Sequence, residues 1–187
     1  MMLLINLDVM LARHHLPAEA AGDYAVGAIL TRIALWLPQA VGVVVLPRLA
    51  DPEDRRRTMP WALGLIALLD SSVVLVALVF GRSLFSFIGG AGYGAHGGQS
   101  WMFATIGSML ALAYLLLYSR IATAYRWSSG AVWIAVAVEA GLATFWLHGS
   151  VVQVAAAALT ATASLVLVGL LIEYRSSGLP ARQPSRA

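Results

Sequence analysis

The chain has 187 residues, of which 60% are hydrophobic and 11% are charged, with a mean hydropathy of +0.80 and a formal net charge of +3. This composition excludes an ordinary water-soluble domain. Most of the basic residues lie in loops and in the C-terminal tail, as in membrane proteins, so the charge does not indicate nucleic acid. Without cysteine there is no disulfide, thiolate metal site or cysteine nucleophile.

Six apolar stretches predict an all-α fold, a polytopic bundle of about six membrane helices. The first, at 1–12, is too short to cross ~30 Å of hydrocarbon, which needs ~20 residues, and has the character of the end of a helix. The other five are long enough to span, at 24–46, 60–80, 101–122, 129–147 and 151–172. We therefore expect a transmembrane bundle over 1–172 and a disordered basic tail over 173–187.

Prolines refine two of these spans. Pro38 predicts a kink in the second span, and Pro47 predicts its end. Pro60 is placed as a first-turn proline of the third span, beside an interfacial Trp61.

The arginines predict the orientation of the bundle. Most of them fall in the turn 48–58, in the turn after the fourth span and in the tail. The other turns carry few, with Arg82 alone in the loop 82–100. Under the positive-inside rule the arginine-rich segments are cytoplasmic, and both termini are then cytoplasmic as well.

The glycine-rich loop 87–98 contains the spacing Gly92-x-Gly94-x-x-Gly97, which also occurs in dinucleotide-binding folds. That pattern works where a strand delivers the glycines to a helix N-terminus, whereas this loop joins two membrane spans. We expect a flexible or short re-entrant connector with a solvated His96.

The other histidines have no metal-ligand spacing, so they are interpreted as surface residues and no metal site is predicted. These are His14, His15 and His148.

Four ionisable residues lie within the apolar stretches, where a charge needs a partner, water or a function. They are Asp8, Arg32, Asp70 and Glu139. At 1.5 Å per residue, Arg32 lies about 12 Å from the outer end of its predicted span, and Asp8 lies about 7.5 Å from the outer end of the preceding one. The two side chains could therefore meet as an ion pair across antiparallel helices.

Asp70 and Glu139 fall near the middle of their spans, beyond the reach of the headgroups. A carboxyl group in such surroundings favours its neutral form, so each could exchange a proton with a gradient. Each could equally be a structural carboxyl group, hydrogen-bonded across helices. The available partners are Ser71 and Ser72 for Asp70, and Thr144 for Glu139.

Motifs in the first quarter of the chain resemble the C-terminal half of Wzx-type polysaccharide flippases, in the multidrug/oligosaccharidyl-lipid/polysaccharide (MOP) exporter superfamily. The motifs are Asp8-x-x-Leu11-Ala12-Arg13, Ala21-Gly22-Asp23-Tyr24, Arg32 in an apolar run, Leu37-Pro38 and Val45-Leu46-Pro47-Arg48. The remaining spans agree mainly in number, spacing and orientation.

This resemblance implies a MATE-like C-terminal lobe, the second of two six-helix bundles around a cavity. Its substrate would be an isoprenoid-pyrophosphate-linked oligosaccharide for surface polysaccharide biosynthesis, moved across a bacterial-type plasma membrane with help from an N-terminal half. Arg32, Asp8 and Gln39 are then the candidates for substrate contact, and Asp70 and Glu139 for proton coupling. Besides this substrate and membrane lipids, no cofactor and no catalytic residue is implied.

Three alternatives stay open at this stage. One is a cation-coupled drug exporter of the same superfamily. Another is an integral membrane glycosyl- or acyltransferase, which predicts clustered acids or histidines in an extramembrane loop, yet the loop 82–100 offers only His96. An accessory subunit is the third. A fragment of a longer transporter and a half-transporter are both compatible with the length.

Overall fold

The computed structural model describes residues 2–49, 52–121 and 127–177, and these ranges are helical with no strand. Six α-helices follow one another, with a 3-10 helical segment, Ala91–Gln99, between the third and the fourth. They are α1 (Met2–His15), α2 (Ala18–Leu49), α3 (Pro52–Gly89), α4 (Ser100–Ile121), α5 (Trp127–Phe145) and α6 (Val151–Ser177). The predicted all-α bundle of about six helices is confirmed.

Four stretches of the described helices are long and apolar enough to cross a membrane: Ala18–Gln39, Arg57–Gly89, Ala91–Leu117 and Val151–Ile172. The other two helices are shorter. With 14 residues, α1 extends about 21 Å, short of a bilayer as the sequence predicts. In α5 the apolar part is Gly130–Phe145. The chain therefore has the helices of a multi-span membrane protein.

Several helices extend beyond the predicted spans, because hydrogen bonding continues where hydrophobicity stops. Helix α2 begins at Ala18, passes through Pro38 and ends at Leu49, beyond Pro47. Helix α3 begins at Pro52, so Pro60 lies inside it, and the prediction of a first-turn proline is wrong. Helix α6 continues to Ser177, past the predicted start of the tail. Residues 178–187 of that tail lie outside the described ranges.

The predicted end of the third span coincides with a break inside α3. Phe80 has non-helical backbone angles, φ −111° and ψ 18°. Next to it, the Ser100 hydroxyl at the start of α4 donates a hydrogen bond of 2.8 Å to the Ala77 carbonyl oxygen. A side chain that binds a helix carbonyl in this way is a known cause of a kink. The last part of α3 therefore departs in a new direction and carries the 3-10 segment.

Helix α4 is the centre of the bundle, since it packs against α2, α3 and α6. Where it crosses α2, Gly27 lies under the Phe103 ring and Gly107 lies against the Thr31 carbonyl group, so neither position has room for a Cβ atom. The Thr31 hydroxyl also donates to the Phe103 carbonyl oxygen at 3.0 Å. Small residues thus allow the two backbones to approach closely.

The alanine-rich face of α6 is buried, in agreement with the packing role expected for small residues in a membrane helix. Its fully buried members are Ala155, Ala157, Ala158 and Ala161. Helix α6 packs against α4 and α5, while α1 closes the bundle against α2, α5 and α6.

Candidate functional site

The predicted site residues lie in two separate regions of the bundle. Asp8 of α1 and Glu139 of α5 come close to each other, with Arg32 of α2 nearby. Asp70 lies apart from them, on the face of α3 that packs against α4. Gln39 follows Arg32 two turns later on α2 and is half-buried.

The first group is a three-helix carboxyl cluster formed by Asp8, Tyr24 and Glu139. Their exposed fractions are 3%, 0% and 1%. The Tyr24 hydroxyl donates to Asp8 Oδ2 at 3.0 Å, and the Val9 amide donates to Asp8 Oδ1 at 2.7 Å. Glu139 is close enough for its charge to act on both Asp8 and Tyr24. Neither carboxyl oxygen of Glu139 has a hydrogen-bond partner in the described part of the chain.

This cluster follows directly from the α1–α2 hairpin. Asp8 and Tyr24 stand at similar distances on either side of the turn at 16–17, so an antiparallel pair of helices brings them to the same level. Glu139 is delivered by α5, which packs against α1. Buried polar groups need partners, and the Tyr24 hydroxyl supplies one for Asp8.

Arg32 does not form the predicted ion pair with Asp8, since no carboxyl oxygen of Asp8 lies within 4 Å of its guanidinium group among the described contacts. Arg32 Nη2 instead donates to the Asn6 side-chain oxygen at 2.9 Å. Asn6 in turn donates to the Met2 carbonyl oxygen at 2.8 Å. Asp8 therefore accepts its hydrogen bond from Tyr24, and Arg32 donates to Asn6, so the hydrogen-bond partner of the arginine is neutral.

Arg32 also lies deeper along its helix than the sequence indicates. Because α2 begins at Ala18, Arg32 is about 21 Å along the helix at 1.5 Å per residue. Side chains lean toward the N-terminus of their helix, which carries the guanidinium group back toward Asn6. Arg32 is half-buried and Asn6 is exposed, so the pair opens onto the outside of the bundle.

The second group is the pair formed by Asp70 and Ser108. Asp70 is 4% exposed, Ser108 is also 4% exposed, and they face each other across α3 and α4. None of these three oxygen atoms makes a hydrogen bond of 3.5 Å or less within the described ranges, although the Ser108 hydroxyl group is close enough to act on the Asp70 carboxyl group. Asp70 belongs to the buried stripe of α3, together with Met59, Ala62, Ile66 and Ala77.

The partners proposed from sequence for the two mid-span acids are not used. Ser71 and Ser72 donate to carbonyl oxygens of their own helix, at 2.7 and 2.9 Å. Thr144 is exposed, away from the buried Glu139. A serine inside a helix readily binds the carbonyl group one turn back, and that local bond leaves Asp70 without a donor.

His96 is exposed, as predicted, but it also makes a contact within the protein. Its Nδ1 atom lies 3.2 Å from Asp23 Oδ1, which ties the 3-10 segment to the start of α2. At the same end of the bundle, the His15 ring lies 5.4 Å from the His148 ring and 4.8 Å from the His14 ring. Among the residues that the structure describes, no group of three or more His, Cys, Asp or Glu is arranged to hold a metal ion.

Sequence reasoning missed three residues that touch the predicted ones: Asn6, Tyr24 and Ser108. Asn6 and Ser108 carried a usable signal, because each is a polar residue inside an apolar stretch, where side-chain hydrogen bonds between helices are common. For Tyr24, the position beside the hairpin turn, opposite Asp8, was the available signal.

Chemically, the two groups hold buried carboxyl groups that can take up and release protons, and one accessible cation that can bind an anion. Comparison of the chain with protein-family models, with curated proteins and with solved structures finds no match. The function must therefore be inferred from the chain's own residues.

Proposed function

We propose that this chain is one lobe of a membrane transporter that moves an isoprenoid-diphosphate-linked oligosaccharide across a bacterial-type plasma membrane for surface polysaccharide biosynthesis. The observation that carries the proposal is Arg32, a cation deep along α2 whose hydrogen-bond partner, Asn6, is neutral. The resemblance of the first quarter of the chain to the C-terminal half of Wzx-type flippases supports the same function.

A half-buried arginine at that depth is costly against acyl chains, so the surface that carries it faces water or protein. The Arg32–Asn6 pair lies on the faces of α1 and α2 that point away from the rest of the bundle. In the proposed function this surface forms one wall of a wet cavity, and the opposite wall would come from a second, N-terminal bundle. Gln39, half-buried two turns from Arg32, can bind sugar hydroxyl groups on the same wall.

Arg32 is suited to the diphosphate group of the substrate. A guanidinium group presents several donors in a plane and binds phosphate oxygens through paired, charge-assisted hydrogen bonds. Since only one guanidinium nitrogen is engaged by Asn6, donors are left for an anion. Asp8, close enough for the two charges to interact, would compete with the diphosphate and favour its release.

Asp70 and Glu139 are proposed to couple transport to protons. Both are buried, and neither has a hydrogen-bond partner among the described residues. An ionised carboxyl group is costly in such a place, so uptake of a proton relieves each of them.

The distribution of charges favours this function over export of organic cations. The accessible charged group at depth is the cationic Arg32, whereas Asp8, Asp70 and Glu139 are at most 4% exposed. An organic cation would need an accessible acid in the cavity wall.

The test is native mass spectrometry of the purified chain for a bound isoprenoid-diphosphate-linked glycan. We expect the wild-type chain to retain this lipid and Arg32→Gln to lose it. Arg13→Gln is the matched control, since Arg13 is exposed at the end of α1. Arg32→Lys, which keeps the charge, should retain part of the binding. Equal retention by Arg32→Gln and the wild type, or retention of organic cations alone, would contradict the proposal.

The proposed orientation, with both termini in the cytoplasm, has its own test. Because the chain has no cysteine, a single cysteine can be introduced without background. Tyr174, 82% exposed near the end of α6, and His14, exposed at the end of α1, suit this purpose. In intact cells an impermeant thiol reagent should label His14→Cys and spare Tyr174→Cys. The reverse pattern would invert the proposed topology.

A further inference from the structure

A cavity of about 690 Å³, open to the surface, lies between the end of α3 and the 3-10 segment, far along the chain from Arg32. Its lining residues are Arg82, Ser83, Ser86, Ala91, Gly94 and Ala95. Sites for small ligands commonly have volumes of ~300–1,000 Å³, so this one has the size of a headgroup site. It contains one cationic side chain, two hydroxyl groups and no carboxylate.

The polar side chains of this cavity have no partners within the protein. Neither the Arg82 guanidinium group nor the hydroxyl groups of Ser83 and Ser86 make a hydrogen bond or ion pair with any residue in 2–49, 52–121 or 127–177. Ser71 and Ser72, on the same helix, do bind the carbonyl groups one turn back. The guanidinium group and the hydroxyl groups of Ser83 and Ser86 therefore remain available as donors, and they line the same space.

Glycines shape the walls of the cavity. A Cβ atom at Gly94 would occupy the position of the Ser86 hydroxyl group. A Cβ atom at Gly97 would meet the backbone of Arg82, and Gly81 has no room because Ser100 and Gly97 lie against it. The 3-10 segment therefore lies directly on α3, with the Ser86 hydroxyl group facing backbone rather than another side chain.

The cavity lies just beyond the predicted end of the third span, although the apolar helix itself continues to Gly89. Arg82 follows closely after the break at Phe80, which coincides with the predicted end of the third span. Beyond such an end, side chains meet the phosphate layer of the bilayer, and a guanidinium group binds phosphate oxygens through charge-assisted hydrogen bonds.

We propose that this cavity binds the phosphate group of a membrane lipid. Arg82 supplies the positive charge and paired donors, Ser83 and Ser86 supply hydroxyl donors, and the glycine-rich backbone lets the headgroup approach closely. The site is separate from Arg32 and does not depend on the transport function. A free phosphate ion presents the same chemistry, so the test must distinguish the two sources.

The test is a titration of the purified chain, in an uncharged detergent, followed by native mass spectrometry. The probes are dioctanoyl phosphatidylglycerol, dioctanoylglycerol with the same acyl chains but no phosphate, and sodium phosphate. We expect phosphatidylglycerol to bind and dioctanoylglycerol not to bind. Binding of sodium phosphate as strong as that of the lipid would keep the phosphate site but overturn its assignment to a lipid. Equal binding of the two lipids would overturn the phosphate site itself.

Variants locate the binding in the cavity. Arg82→Gln should weaken phosphatidylglycerol binding by ~10-fold or more, because it removes the charge-assisted contacts. Arg13→Gln, an equal change of charge at another exposed position, should leave binding unchanged. The double variant Ser83→Ala/Ser86→Ala keeps the charge, serves if Arg82→Gln fails to fold, and should also weaken binding. Wild-type binding by both Arg82→Gln and the serine variant would overturn the proposal.

Discussion

The two buried carboxyl sites of this bundle differ in how their acids are accommodated. In the three-helix carboxyl cluster, Asp8 receives a tyrosine hydroxyl group at 3.0 Å and a backbone amide at 2.7 Å. In the Asp70–Ser108 pair, a carboxyl group and a hydroxyl group face each other without a hydrogen bond. A partnered buried acid stabilises the arrangement around it, whereas an unpartnered one is tolerated at a cost.

This difference in hydrogen bonding separates an acid that holds helices together from acids that are available for function. Asp8 joins α1 to α2 through Tyr24, so its loss leaves a buried hydroxyl group without an acceptor. Asp70, 4% exposed in the middle of α3, makes no hydrogen bond to another helix in the described part of the chain. Glu139 belongs to the cluster, yet like Asp70 it has no hydrogen bond of its own within the described ranges.

The largest effect is expected from Tyr24→Ala, which removes a fully buried ring and the donor to Asp8. Tyr24 also packs edge-to-face on Phe103 at 5.1 Å. Loss of a buried aromatic side chain lowers the free energy of unfolding by ~3–5 kcal/mol. Unfolding in mixed detergent micelles measures the loss. Tyr174→Ala, at a position 82% exposed, should change little. A similar small change for Tyr24→Ala would show that the cluster does not stabilise the bundle.

Tyr24→Phe isolates the hydroxyl group from the ring. It keeps the packing on Phe103 but leaves Asp8 Oδ2 without its donor. We expect the free energy of unfolding to fall by ~1–3 kcal/mol, the cost of an unsatisfied buried group. The same micelle assay measures it, and a value near zero would mean that the Tyr24–Asp8 bond adds nothing.

Asp70→Val should change the free energy of unfolding in the opposite direction. It removes a buried carboxyl group that has no partner in the described part of the chain, and we expect the free energy of unfolding to rise by ~1 kcal/mol. Asp8→Val, the matched change in the cluster, should lower it. Asp70→Val should also reduce proton-coupled transport, as for a functional residue kept at the expense of stability. Destabilisation by both valine variants would erase the distinction between the two sites.

The smallest effect is expected from Ser108→Ala. The Ser108 hydroxyl group is buried but makes no hydrogen bond to the described residues, so its removal breaks none. The change should stay within ~0.5 kcal/mol in the unfolding assay. A loss as large as that of Tyr24→Phe would indicate that Asp70 and Ser108 are bonded after all.

Much of the architecture could be predicted from the sequence, because apolar periodicity and length dictate membrane helices. The short α1, the stretch ending at Phe80 and the buried alanines of α6 all follow from such patterns. The start of α2 could not be predicted in this way. Residues 18–23 are polar enough to end an apolar stretch, yet they continue the helix with Glu19 in its first turn.

The charged residues inside the apolar stretches could be singled out from the sequence, but most of their partners could not. Intramembrane charge marks Asp8, Arg32, Asp70 and Glu139 without saying which of them meet, since that depends on helix rotation and on competing neutral donors. In the structure Arg32 donates a hydrogen bond to Asn6, and Asp8 accepts one from Tyr24. The contact of His96 with Asp23 depends on how the 3-10 segment packs against α2, and the spacing of the glycines does not predict that packing.

The crossing of α2 and α4 limits how this bundle can change shape. Gly107 brings the main chain of α4 against Thr31, Gly27 receives the Phe103 ring, and the Thr31 hydroxyl group donates a hydrogen bond to the Phe103 carbonyl oxygen. Sliding of one helix over the other would drive backbone into backbone. We therefore expect these two helices to move as a rigid body, and any rocking motion to pivot around them.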